Sequence, residues 1–149
     1  MRMRGRNARV IFWLSGILLL AIPAYGEETF SIAGNVTFPE GEVIFVSLYT
    51  PERFQNFNNK SLPPEPYTQI IELSAEEKNA GRAAFIFKGI PRGTYGVVAF
   101  REMKKNLKRE RSEYFRNPVS YYKMIRFSGN WNDIKLEVNK NIHGIEIKF

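Results

Sequence analysis

Cysteine is absent from all 149 residues, histidine occurs once, and aspartate occurs once, at Asp133. Without thiols the chain has no disulfide staple and no thiolate metal centre. It also has no cysteine at which an export signal could be lipidated. One histidine, His143 in "NIHGIEI", falls short of the two or three convergent ligands of an imidazole metal site. A hydrolytic triad would need His143 with a serine and an acid, and no serine sits in a G-x-S-x-G elbow. There is no glycine-rich phosphate loop: "GIPRGTYG" lacks both the spacing and the following helix. Internal repeats and low-complexity tracts are absent as well. No cofactor and no metal are therefore expected, and the fold must stand on its apolar core.

What is present begins with an address. Arg2, Arg4, Arg6 and Arg9 precede an apolar run, Val10–Ile22, of about 13 residues. That is short of the roughly 20 a spanning helix needs. Pro23 breaks it, and "AYG" places small residues at −3 and −1 before Glu27. This is the grammar of a secretory signal peptide over residues 1–26, with a retained anchor as the alternative. Residues 27–149 then form one domain, long enough to bury a core. The expected location is periplasmic or extracellular, without a stable membrane anchor after cleavage.

The address also carries charge. The full chain has a net charge of +7, but four of its 22 basic residues lie in the signal. The remaining 18 face 15 acidic residues, a net of +3. That balance does not imply nucleic-acid capture.

Along 27–149 the apolar pattern has period two. "FSIAGNVTF" (30–38) and "EVIFVSLY" (42–49) read as a hairpin around "PEG". "TPERFQNFNNKSLPPEP" (50–66) reads as a long surface loop with a helical turn near Glu52–Phe57. Strands follow at 67–74, 82–90 and 94–102, with "AEEKNAG" (75–81) as a polar turn and "PRG" (91–93) as a tight one. A short strand near Tyr122–Phe127, a turn at "SGNWND" and strands at 134–138 and 142–149 complete the pattern. About seven short strands at near-regular spacing predict an all-β, antiparallel β-sandwich or barrel. In the tight turn Gly93 is expected to need positive φ, with Pro91 presetting its own. Tyr95 is expected as a core or corner tyrosine. Trp131 lies in a turn, where it either caps a sandwich end or meets a carbohydrate.

Ile32, Gly34 and Val36, followed by Phe85, Phe87, Ile90, Pro91, Gly93 and Tyr95, resemble the transthyretin-like, or carboxypeptidase-regulatory-like, β-sandwich modules. A nearer resemblance is to a family of small exported bacterial proteins, domain of unknown function 2141. Gly41, Val43, Phe45, Leu48 and Tyr49 carry it first, then Pro91, Gly93, Tyr95, Val97 and Phe100. The resemblance implies a Greek-key topology and brings no established activity. In that family an acidic, Asn-rich run follows the second motif, with oxygen ligands at alternate positions that suit calcium. Here those positions are Arg101, Glu102, Lys104, Asn106, Leu107 and Glu110, where two cations oppose a metal.

That run, "REMKKNLKRERSEYFR" (101–116), holds seven basic residues and three glutamates, net +4. This exceeds the +3 of the whole processed chain, so the polarity is local. Arg101, Lys104, Lys105, Lys108, Arg109, Arg111 and Tyr114 are the candidate contacts for an anionic envelope component or a partner protein. A solvated loop with internal ion pairs is the competing reading. The function expected is a non-enzymatic exported binding or structural module. Its contacts would come from loops at one sandwich end, chiefly 50–66 and 101–116. The alternatives are a degenerate calcium-binding module of the same family and a carboxylate-dependent hydrolase built on a glutamate pair. Ligand and oligomeric state are open.

Overall fold

Burial along each strand separates two kinds of sheet in this protein. The computed structural model describes residues 26–56, 65–102, 119–123 and 130–149. In chain order these form β1 (Thr29–Thr37), β2 (Val43–Tyr49), α1 (Pro51–Gln55), β3 (Thr68–Glu72), α2 (Ala75–Ala80), β4 (Arg82–Pro91), β5 (Gly93–Glu102), β6 (Val119–Tyr121), α3 (Trp131–Ile134), β7 (Lys135–Val138) and β8 (Ile142–Lys148). One sheet has the order β4-β1-β8. The other has β3-β2-β5, with β6 and β7 sharing the far edge of β5. The architecture is thus all-β, two sheets packed around a common core. It has eight strands among the described residues, and it is not purely antiparallel. The first strand and the last run side by side in parallel, because β8 returns along β1 in the same direction.

The three-stranded sheet buries one face. In β4, Ala83, Phe85, Phe87 and Ile90 point inward while Arg82, Ala84, Ile86 and Lys88 face out. The step from Phe87 to Ile90 breaks the alternation, and a β-bulge explains it. A two-residue step in β1, from Phe30 to Ile32, is matched by a three-residue step in β4, from Phe87 to Ile90, around Gly89 at φ +69°. β8 does the same on the other side of β1. Ile32 and Gly34 pair with Ile142 and Ile145, around Gly144 at φ +75°. A left-handed residue at a bulge favours glycine, which has no Cβ to clash. The spacing F-x-F-x-x-I is therefore the sequence imprint of the first bulge, and "IHGI" of the second.

The five-stranded sheet buries both faces. Every residue of β2 is buried, and so are Tyr95 to Glu102 of β5. The inner face supplies Ile44, Val46, Leu48, Tyr95, Val97 and Ala99 to the core between the sheets. The outer face, carrying Val43, Phe45, Tyr49, Val98 and Phe100, builds a second core with Phe54 of α1 and Ile134 of α3. Trp131, Tyr121 and Val119 pack against its margin. Near-continuous apolar runs are what a strand covered on both sides requires. "VIFV" and "GVVAF" carry that signal, which a reading for alternation passes over.

Short-range chemistry sets the connections. "AEEKNAG" is a capped helical turn. The Ser74 hydroxyl accepts from the Glu77 amide, the Glu77 carboxylate accepts from the Ser74 amide, and Gly81 closes at φ +59°. This is the S-x-x-E box with a left-handed C-cap, two signals legible in the sequence. "SGNWND" likewise holds the short helix α3 behind the Asn130 cap. Of the expected strand near Tyr122–Phe127, residues 124–127 lie outside the described residues, and the described strand is β6.

At the β4–β5 turn, the Tyr95 hydroxyl donates to the Pro91 carbonyl at 3.1 Å, a tyrosine corner. Burial, then the neighbouring Tyr67 and Glu27, raise its phenol pKa further above neutral. Gly93 is needed for a reason other than positive φ, which it does not adopt. A Cβ there would stand 3.2 Å from the Tyr95 ring, so the glycine makes room for the corner. Removing the hydroxyl in Tyr95→Phe will cost about 1 kcal/mol, the worth of one such bond. In thermal melting this will read as a Tm lower by roughly 4 °C for a domain of this size. An unchanged Tm would show that the corner bond adds nothing to stability.

Candidate functional site

Strand register decides where the two expected contact segments attach. Tyr49, at the end of β2, pairs with Gly96, whereas Glu102, at the end of β5, pairs with Val43. The loop after β2 and the basic run after β5 therefore leave opposite ends of this strand pair. A shared end, as the sequence reading expected, is corrected by the register.

The first segment is pinned at its base. Thr50 caps α1, and the Arg53 Nε donates to Glu65 Oε1 at 3.0 Å, with both side chains largely buried. Phe54 turns into the second core, with its ring 5.5 Å from that of Trp131 and 6.1 Å from that of Tyr121. Trp131 in turn covers Gly96, where a Cβ would lie 3.1 Å from its ring. This tryptophan is a half-buried lid on the outer face of the five-stranded sheet.

The second segment starts from a rigid base. β5 is a central strand covered on both faces, and β6 begins at Val119 directly opposite Phe100. Residues 103–118 thus leave and rejoin the sheet on adjacent strands at one end. Lys104, Lys105, Lys108, Arg109, Arg111 and Tyr114 lie outside the described residues. Of the candidate contacts, only Arg101 lies within them, and it is buried, 9 % exposed.

Two-residue alternation from Tyr95, Val97 and Ala99 turns Arg101 to the inner face. There its Nη1 donates to the Glu40 carbonyl at 2.9 Å, and its guanidinium lies 5.4 Å from the Phe149 ring centroid. Among the described residues its buried Nε has no hydrogen-bond partner. Arg101 thus plugs the end of the core between the β1–β2 turn and the end of β8.

Beside that plug, Pro39, Glu40, Gly41, Glu42 and Lys78 line an open groove of about 290 Å³. Lys78 Nζ and Glu42 Oε2 are 2.6 Å apart. Both are substantially exposed, and such pairs contribute little to stability.

His143 is exposed on β8, and Asp133 is exposed on α3. Among the described residues no three His, Cys, Asp or Glu side chains converge as a metal site would require. No helix among them is long and apolar enough to cross a membrane. Comparison with family models, curated proteins and solved structures finds no match to this chain.

Proposed function

We propose that this chain is an exported, non-enzymatic binding module of transthyretin-like, Greek-key type, which meets an anionic envelope surface through its 103–118 segment. One observation carries the reading: a locally cationic segment is mounted between two adjacent, paired strands of a doubly buried sheet. Binding residues commonly sit on loops that a rigid scaffold positions. Six basic residues against two acids within residues 103–118 supply the field. Lys104, Lys105, Lys108, Arg109, Arg111 and Tyr114 are the contacts, and Arg101 anchors the segment from inside. Export rests on the signal-peptide pattern of residues 1–26.

The test is salt-dependent retention of the processed chain on an anionic matrix and on anionic vesicles. Replacing Lys104, Lys105, Lys108 and Arg109 by alanine will move elution to clearly lower salt and abolish vesicle binding. Screening over a Debye length of roughly 8 Å at physiological salt makes the effect strongest in dilute buffer. As control, Lys88, Lys135, Lys140 and Lys148 are exposed elsewhere. An equal loss on removing those four would reduce the effect to net charge and overturn the proposal. Unchanged retention in the first variant would do the same. Calcium added in the same buffer distinguishes the metal-binding alternative, because a cation held by the folded state raises its Tm.

A further inference from the structure

The two exposed large hydrophobic side chains among the described residues are Ile70, 48 % exposed, and Ile86, 47 % exposed. They belong to β3 and β4, edge strands of the two sheets that lie next to each other. β4 is the longer of these edges, and its pairing to β1 shows which groups it turns outward. The Phe38 amide bonds the Gly81 carbonyl, so the bonded positions continue through Ala83, Phe85 and Phe87. The N–H and C=O groups of Ala84 and Ile86 then point away from β1. An edge of this kind is a template for another strand.

One side chain intercepts it. Gln69 lies on the inner face of β3, and its Oε1 accepts from the Ile86 amide at 3.0 Å.

We propose that the β4 edge is a latent pairing surface for a second copy of this chain, and that Gln69 holds it shut. One register makes this edge self-complementary, which is what a two-fold pairing with a second copy requires. In an antiparallel pair about a two-fold axis, setting Ala84 against Ile86 would also oppose Arg82 to Lys88, two like charges. Placing the axis through Ile86 removes that conflict. Ile86 then meets its own copy, and Ala84 meets the aliphatic stem of Lys88. The central hydrogen bond of that register uses the Ile86 amide, the donor that Gln69 occupies. Arg82 and the bulge at Gly89 bracket the same stretch, and charge and bulges are both devices that discourage edge pairing.

Sedimentation velocity across a hundredfold concentration range tests this. Gln69→Leu removes the acceptor and will tighten self-association by about tenfold or more, a difference of 1.4 kcal/mol or above. Gln69→Glu keeps an acceptor oxygen and will remain as monomeric as the wild type. Adding Ile86→Lys to Gln69→Leu will restore the monomer.

The proposal is overturned if Gln69→Leu associates no more than wild type, or if Ile86→Lys leaves its association intact. Should Gln69→Leu fail to fold, amide exchange of the unmodified protein decides. The Ile86 amide will be protected like those of Phe85 and Phe87, whereas Ala84 will exchange freely. Exchange of Ile86 at the rate of Ala84 would remove the guard.

Discussion

Gly34→Ala will destabilise this domain by about 3–5 kcal/mol, a loss in the range reserved for severe steric conflict in a core. The position is on the central strand of the three-stranded sheet, between Phe85 of β4 and Ile145 of β8. A Cβ there would overlap the Ile145 carbonyl oxygen and stand 2.7 Å from the Ile145 Cβ. The obstacle is backbone, so no rotamer change relieves it, and β8 must part from β1. Gly144→Ala is the informative control. It places a side chain at φ +75° but meets nothing within 4 Å. Its cost is conformational, about 1–2 kcal/mol for an L-residue in the left-handed region. Urea unfolding of both variants checks the claim. Equal losses would mean that the β1–β8 contact yields easily and that the close approach is unimportant.

Phe100→Ala will cost about 3–5 kcal/mol as well, the usual range for truncating a buried aromatic side chain. Its side chain lies on the outer face of the five-stranded sheet, which simple alternation would turn to solvent. Yet it is 4 % exposed, with its ring 6.4 Å from that of Tyr49. Ile86→Ala offers the contrast, since Ile86 lies on the outer face of the other sheet and is 47 % exposed. That change will stay within about 0.5 kcal/mol. Thermal or urea unfolding separates the two directly. A Phe100→Ala variant as stable as Ile86→Ala would show that the second core adds no stability.

Much of this was legible before folding was considered. Period-two patterning from Phe30 to Val36 and from Arg82 to Phe87 located one-sided strands, and Pro91 and Gly93 located the turn between β4 and β5. The corner role of Tyr95 followed from its place just after that turn. Other signals were in the sequence but went unread. Ser74 and Glu77 spell a capping box, and Gly81 a helix end. The unbroken apolar runs in β2 and β5 announced burial on two faces. For the candidate site, the charge of the 101–116 run was visible. The burial of Arg101 was not, because which face a residue takes depends on the strand phase carried through from Tyr95.

Local chemistry by itself determined the strand-rich class, the tight turns, the caps and the concentration of positive charge after Phe100. Each follows from the conformational preferences or side chains of residues close together in the chain. Only the tertiary structure decided that β8 lies parallel to β1, that the two loops leave opposite ends, and that Gln69 reaches Ile86. Those facts join residues far apart in sequence. They depend on how two sheets stack and which backbone groups remain outward once every strand has found its neighbour.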